Sequence, residues 1–192
     1  MDYDFSKVEK KWQARWDDKK VFVAKEDKTK KKFYALVEFP YPSGAGMHVG
    51  HIKAYGGLEV IARKKRMEGY NVLFPIGFDA FGLPTENYAI KTGIHPRKVT
   101  DMNIARFTEQ LKKVGFSFDW TRVIDTTDED YYKWTQWIFL KMFEHGLAFR
   151  DKTLVNYCPS CKVVLSNEDS QGGKCDICHS DVVQKSKDVW YL

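Results

Sequence analysis

Two stretches of this sequence combine residue types and spacings that suit chemistry. The first is Phe39–His51, FPYPSGAGMHVGH, in which prolines and glycines lead into two histidines. Glycine lets a backbone approach a bulky ligand, and a helix that begins at the histidines would offer unpaired N–H groups and a partial positive charge. His48 and His51 would share a helix face and can both donate to phosphate oxygens. The stretch therefore predicts a phosphate site.

Other interpretations of this turn remain open. A histidine near a helix start is more often a cap or a surface residue, and the Gly44–Gly50 spacing misses the dinucleotide pattern GxGxxG by one residue. Gly50 would leave room for a base or ribose against the backbone. Because several families that transfer nucleotides share the HxGH core, the flanking residues must decide among them.

The second stretch contains all four cysteines, Cys158, Cys161, Cys175 and Cys178, as two CxxC pairs. Two such pairs joined by a short hairpin can hold Zn²⁺ tetrahedrally at about 2.3 Å, which predicts a structural metal site. CDICH is also a literal c-type haem attachment motif, and disulfides or free thiols are further alternatives. We expect His179 to be a bystander, because four thiolates already fill the tetrahedron.

The pattern of apolar residues predicts the elements that position these sites. Phe33–Phe39 is predicted to be a buried strand, His48–Gly69 a helix, and Asn71–Gly77 a second buried strand. Within that helix, Ile61 and Met67 belong to the apolar pattern, and Arg63 and Arg66 are expected to face solvent. This βαβ order favours a parallel sheet, whose ligands lie at the carboxyl ends of the strands. Two more helices are predicted, at Thr100–Lys113 and Thr127–His145. The second has Thr126 and Glu129 as a possible capping box and an apolar face that includes Trp134.

Composition limits the classes of protein to consider. The chain has 192 residues, of which 43% are hydrophobic, and a formal net charge of +5, which suits a polyanionic partner without requiring one. Its apolar runs are shorter than the roughly 20 residues needed to span a bilayer, and its acidic start is unlike a signal peptide. We therefore expect a cytoplasmic protein, in which paired cysteines favour a metal over disulfides.

The residues flanking the histidines resemble leucyl-tRNA synthetase, a class I aminoacyl-tRNA synthetase. Phe39–His51 is similar to that family's His-Ile-Gly-His signature, and Gly77–Glu86, GFDAFGLPTE, is similar to its second hallmark. YYKWTQWIFLKMFEHGLAFR and VNYCPSC resemble its connective region. The enzymes for isoleucine, valine and methionine share HxGH, but PYPSG and DAFGLP favour the leucine enzyme.

The resemblance implies an α/β fold, namely the first half of a Rossmann-like catalytic domain with a small zinc-ribbon-like appendage. Segments 1–32, 33–150 and 151–192 would be an N-terminal helix with its connector, the catalytic half-domain with a helical connective region, and the zinc-binding module. The implied reaction activates leucine with ATP and Mg²⁺ to leucyl-adenylate and then charges tRNA(Leu). The zinc would be structural.

The resemblance also implies roles for individual residues. His48, Gly50 and His51 would bind ATP, with the histidines stabilising the transition state. Asp79 would hold the α-ammonium of leucine, and Phe39 and Tyr41 would wall its side chain. Phe39 can equally be a core residue and Asp79 a turn or cap residue, and Glu86 receives no role.

The sequence departs from the family by lacking a Lys-Met-Ser-Lys-Ser segment, the second half of the ATP site. We therefore expect an N-terminal fragment or one chain of a split enzyme that works with a second chain. A stand-alone HxGH nucleotidyltransferase and a non-catalytic zinc- and RNA-binding module remain as alternatives.

Overall fold

The first unit of the chain is organised by short parallel strands. The computed structural model describes residues 3–42 and 46–192, and the chain divides into two units, Met1–Tyr132 and Lys133–Leu192. The elements of the first unit, together with a helix that begins in it, are α1 Phe5–Lys19, β1 Lys32–Tyr34, α2 Val49–Met67, β2 Asn71–Leu73, β3 Gly77–Phe78, α3 Leu83–Thr92, α4 Pro96–Val114, β4 Ile124–Asp125 and α5 Glu129–Glu144.

The predicted βαβ unit is confirmed, with shorter strands than expected. β1 pairs with β2 in parallel, with Phe33 opposite Val72, and β3 pairs in parallel with β4. The strands predicted at Phe33–Phe39 and Asn71–Gly77 are therefore too long. Pro75 lacks an N–H to donate to a ladder and lies between β2 and β3.

Helix α2 packs on this sheet, and two of its arginines make hydrogen bonds within the fold. Arg63 and Arg66 were predicted to face solvent, but Arg66 donates to the Ser117 hydroxyl (2.6 Å) and Arg63 to the Gly115 carbonyl (2.8 Å). Both lie beside the buried Glu59, which also accepts a hydrogen bond from the Ser117 N–H (2.8 Å). A buried carboxylate requires such partners, and they draw the guanidinium groups inward. Two positions predicted to be apolar contacts are instead exposed: Ile61 and Met67.

Helices α3 and α4 follow the second hallmark. Helix α3 was not predicted; it ends at Gly93, whose φ of +69° suits glycine. Helix α4 is longer than the predicted Thr100–Lys113 and begins at a His95 cap, whose side chain accepts from the Arg97 N–H. One face of α4 is buried, and Leu111 belongs to the core between helices and sheet.

The second unit is a three-stranded antiparallel sheet that follows α5. Its strands are β5 Phe149–Cys158, β6 Val163–Leu165 and β7 Val183–Tyr191, in the order β6-β5-β7. The ring of Trp190 on β7 meets Phe139 and Phe143 of α5 edge-to-face, at centroid distances of 5.1 and 5.8 Å. This contact sets α5 against the sheet.

Two expectations about α5 are wrong. The capping box is not formed, because Thr126 accepts a hydrogen bond from the Ala80 N–H (2.9 Å) and Asp128 instead accepts one from the Asp130 N–H (2.9 Å). The predicted apolar face remains largely exposed, as with Trp134 at 61%. Among the described residues, no helix is long and apolar enough to cross a membrane. The three-segment division at residues 32 and 150 stays a prediction.

Candidate active site and metal centre

The chain leaving β1 and the chain around β3 meet at the predicted leucine pocket. The Asp79 N–H donates to the Pro40 carbonyl (3.1 Å), which joins the two segments just beyond β3. The Phe39 ring lies so close to Gly77 that a Cβ at position 77 would be 2.6 Å from it. The structure thus brings Phe39 and Asp79 together, whereas Tyr41 next to them is 59% exposed.

The two histidines cap the start of α2 reciprocally. His48 Nδ1 accepts a hydrogen bond from the Gly50 N–H (3.1 Å), and His51 Nδ1 accepts one from the His48 N–H (3.2 Å). Their ring centroids are 4.0 Å apart. Because Nδ1 is the acceptor in both neutral rings, the proton is on Nε2. Each imidazole therefore keeps one N–H for a ligand.

This capping changes the expected source of donors at the turn. The N–H groups of Met47, His48, Gly50 and His51 all have acceptors, so the unpaired N–H groups predicted here are not found at these positions. A Cβ on Gly50 would lie 2.8 Å from the His48 ring, so this position has no room for a side chain. The imidazole Nε2–H groups remain as donors at this helix start.

Burial and the neighbouring histidine both disfavour the protonated form of His51. Partial burial, followed by the neighbouring His48, lowers the pKa of His51 below its usual value of 6.5. One turn further along α2, burial and then the charge of Glu38 raise the pKa of Tyr55 to about 12. The Tyr55 hydroxyl is buried and has no hydrogen-bond partner among the described residues.

Helix α4 reaches this turn with three side chains, and sequence reasoning gave none of them a role. Asn103 Nδ2 donates to the Pro42 carbonyl (2.8 Å), and Gln110 Oε1 accepts from the Met47 N–H (2.8 Å). Between them, the Phe107 ring lies 6.1 Å from the His51 ring and 6.5 Å from that of Phe78 in β3. The available signal was their i, i+4, i+7 spacing, which places them on one helix face.

Two parts of the predicted site add nothing to this geometry. Ser43, Gly44 and Ala45, within the predicted turn, lie outside the described residues. Glu86 is exposed in the first turn of α3. A cavity of about 400 Å³ lies between β1, β2 and the segment that joins α1 to β1. Neither the histidines nor Asp79 line this cavity.

The four cysteine sulfurs form a candidate metal centre in the second unit. All four Sγ atoms lie within 4.8 Å of one another, and no two of them form a disulfide. A tetrahedron with Zn–S bonds of about 2.3 Å needs sulfurs about 3.8 Å apart, so small adjustments would close it. Cys158 and Cys175 are fully buried beside Leu165. The donor set and its spacing fit a structural zinc ion.

The two CxxC turns have the same backbone geometry. The residue after each second cysteine has a left-handed conformation, with φ of +59° at Lys162 and +60° at His179. Its N–H donates to the carbonyl of the first cysteine, at 2.8 Å in both turns. His179 thus closes its turn through a backbone hydrogen bond. The two cysteines of CDICH lie opposite the other cysteine pair.

Hydrogen bonds distribute charge unevenly over these thiols. Hydrogen bonds from Ser180 lower the pKa of Cys178 to about 5. The pKa of Cys161 is raised to about 12, first through its hydrogen bond with Cys178 and then through burial. Both shifts thus come mainly from hydrogen bonds within the cysteine cluster and from Ser180 beside it.

Comparison with known proteins agrees with this fold. The family described as tRNA synthetases class I (I, L, M and V) matches residues 11–192, and the chain belongs to that family. Within it, the chain is 58% identical over 190 residues to a leucine–tRNA ligase of Alkaliphilus oremlandii, covering 99% of this chain and 24% of that protein. It is 53% identical to the leucine–tRNA ligase of Thermotoga maritima, over 100% of this chain and 23% of that one.

Solved structures give the same assignment. The ternary complex of Agrobacterium radiobacter K84 agnB2 LeuRS with tRNA and LeuAMS superposes with a TM-score of 0.89 at 35% identity, covering all of this chain and 25% of that one. Mycobacterium tuberculosis methionyl-tRNA synthetase with methionyl-adenylate gives a TM-score of 0.64 at 25% identity, over 83% of this chain and 32% of that one. The resemblance to leucyl-tRNA synthetase is confirmed. The chain spans about a quarter of the length of its leucine relatives.

Proposed function

We propose that this chain carries the histidine half of a site that activates leucine with ATP, for transfer to tRNA(Leu). The observation that carries the proposal is the pair of capping histidines at the start of α2, in a chain 53–58% identical to leucine–tRNA ligases. The complex of the related LeuRS with tRNA and LeuAMS supports the same ligands here. A second chain or further sequence would supply the other half of the ATP site.

In the proposed reaction, a carboxylate oxygen of leucine attacks the α-phosphorus of ATP. An O–P bond forms, the bond to the bridging oxygen of pyrophosphate breaks, and pyrophosphate leaves with that electron pair. Such chemistry depends on positioning and charge stabilisation, with no covalent enzyme intermediate needed. The Nε2–H groups of His48 and His51 donate to the phosphate oxygens as charge develops. A preorganised donor of this kind contributes about 3 kcal/mol to transition-state stabilisation.

The residues beside Gly77 would bind the amino acid. The Asp79 carboxylate pairs with the α-ammonium group of leucine, and Phe39 and Tyr41 wall its side chain. A pocket of this kind distinguishes one methylene by about 1–3 kcal/mol, which applies to valine, whereas isoleucine is an isomer of leucine and must be excluded by the position of its branch. Glu86 has no part in this proposal.

The metals have separate roles. Mg²⁺ would enter with ATP and offset the charge of its phosphates. Zn²⁺ would be held by Cys158, Cys161, Cys175 and Cys178, where it closes a structural site in the second unit. Convergence of both cysteine pairs on one point supports zinc over haem attachment at CDICH. Location in the cytoplasm remains part of this proposal.

Leucine-dependent exchange of labelled pyrophosphate into ATP tests the proposal. With the other half of the ATP site supplied, we expect exchange with leucine, much less with isoleucine, and a loss of leucine dependence in Asp79→Asn, with ATP binding retained. The exposed Asp101 on α4 provides the matched control, because Asp101→Asn keeps every proposed ligand contact. Exchange that ignores leucine would instead indicate a stand-alone nucleotidyltransferase. Absence of exchange together with absence of ATP and leucine binding would contradict the proposal.

A further inference from the structure

We propose that Gln110 of α4, with Asn103, is a positioning residue that holds the backbone on both sides of residues 43–45 so that the histidines can meet a nucleotide. Neither side chain is among the proposed ligand contacts. The inference rests on the proposed function, because it assigns to α4 the placement of that same ATP site.

The contact of Gln110 is specific to one backbone group. Its Oε1 accepts the Met47 N–H at 2.8 Å, directly before the His48 cap. The same amide packs against Gly46, where a Cβ would lie 2.8 Å from Nε2. The amide therefore fits only while position 46 has no side chain, and its single acceptor fixes where α2 begins.

Asn103 makes the matching contact on the other side. Its Nδ2 donates to the Pro42 carbonyl at 2.8 Å, and both residues are buried. Phe107, between Asn103 and Gln110 on the same helix face, touches the ring of His51. One face of α4 thus contacts the segment before the turn, the segment after it and one of its histidines.

Helix α4 is itself fixed to the sheet. At its start, Arg97 donates to Thr127 Oγ1 (2.8 Å) and pairs with Asp125 of β4 (3.3 Å). At its end, Gly115 accepts from Arg63 of α2 (2.8 Å), and Leu111 is part of the core. Pro42, Met47 and His51 are therefore contacted by a helix that is itself joined to β4 and α2.

Loss of the Gln110 and Asn103 contacts should weaken ATP binding and leave leucine binding unchanged. Displacement of reacting groups by about 1 Å can cost about 10²-fold in rate, so a loosened turn is expected to bind ATP poorly. The segments that hold Phe39 and Asp79 are joined through Pro40 and Gly77 instead. Gln110→Met keeps the length of the side chain while removing the acceptor.

The first experiment compares ATP and leucine binding in the 192-residue chain by calorimetry, together with hydrogen exchange of the Met47 amide. For Gln110→Met we expect ATP affinity about tenfold weaker, equivalent to about 1.4 kcal/mol, with leucine affinity unchanged and faster Met47 exchange. Glu109→Gln is the matched control, since the exposed Glu109 pairs only with Lys113 among the ion pairs of the described residues. If Gln110 only stabilised the fold, Gln110→Met would weaken the binding of ATP and of leucine equally.

A double-mutant cycle sharpens the result. Gly46→Ala should displace the Gln110 amide and weaken ATP binding, whereas the same change made together with Gln110→Ala should add little, because the amide is already gone. Full additivity of the two changes would overturn the inference.

The outcomes separate this inference from the proposed function. ATP binding that is retained in Gln110→Met would overturn the role of α4 and leave the proposed function intact. Failure of the wild-type chain to bind ATP would overturn this inference, and failure to bind leucine as well would overturn the proposed function too. Weakened ATP binding with intact leucine binding and the coupled cycle would support both.

Discussion

The two candidate sites are held in place in opposite ways. The cysteine centre is built from two copies of one short turn, each closed by its own backbone hydrogen bond, and its ligands fall within residues 158–178. The histidine turn depends on α4, whose Asn103 and Gln110 are about 60 residues further along the chain. A metal can organise a site that is local in sequence, whereas the nucleotide turn must be positioned by tertiary structure.

The largest expected effect is that of metal removal, which tests whether the cysteine centre is organised locally by its metal. Chelation of zinc should unfold the segment after Asn156, because metal binding is coupled to the folding of such small sites. The parallel sheet of the first unit should keep its hydrogen-exchange protection at Val72 and Phe74. We would follow amide exchange before and after chelation, with Ser160→Ala as a silent control and Cys175→Ser as the genetic equivalent. Simultaneous loss of protection in both units would contradict this separation.

On the histidine side, His51→Ala should reduce adenylate formation about 10²-fold, corresponding to about 3 kcal/mol, with little change in leucine affinity. The variant removes both a cap and the Nε2–H donor. Asp4→Ala is the matched control, because the Asp4 side chain caps α1, which takes no part in the proposed site. Equal losses in the two variants would mean that His51 acts only as a cap.

A smaller effect is expected where the two strand ends meet. Gly77→Ala would force a methyl group against the Phe39 ring, and overpacking of this kind costs about 1–3 kcal/mol of stability. Leucine binding should weaken as the ring moves. Gly57→Ala in α2 has open space and should stabilise the helix by about 0.5–1 kcal/mol. Thermal unfolding and leucine titration of both variants would test this, and similar behaviour of the two would remove the special role of Gly77.

The smallest effect concerns pH. Because the folded pKa of His51 lies below 6.5, the unfolded chain binds more protons than the folded chain between the two values. The stability contributed by neutral His51 is therefore complete above the pKa of the unfolded chain. It is lost as the pH falls from that value through the lower pKa of the folded chain. Denaturant unfolding of wild type and His51→Ala between about pH 5 and about pH 7.5 should give a shallower pH dependence in the variant. Parallel curves would contradict the lowered pKa.

The sequence was most informative where a site depends on spacing alone. Two CxxC pairs predicted the cysteine cluster, and the βαβ order predicted the parallel pairing of β1 and β2. Turn and cap chemistry was less predictable, since Asp128 replaced Thr126 as the residue that caps α5. Arg66 was assigned to solvent because a single helix cannot reveal that Ser117, about 50 residues away, would accept from it.

The histidine turn shows why the remainder required a structure. Its residue types predicted a phosphate site, but the state of its N–H groups depends on where the His48 and His51 rings and the Gln110 amide lie. No sequence pattern specifies that Met47 meets Gln110, because the contact arises only after α4 packs on the sheet. Long-range hydrogen bonds of this kind decide which donors are left for a ligand.

The most direct test of the account is titration of a non-hydrolysable leucyl-adenylate analogue into the isotope-labelled chain, followed by NMR. We predict that the largest chemical-shift changes fall on Met47–His51 and Asp79, with the imidazole Nε2–H resonances of both histidines among them, while Cys158–Cys178 stays unchanged. Changes confined to the cysteine centre, or saturable binding that leaves the histidines unaffected, would contradict the claim that this turn is the nucleotide site.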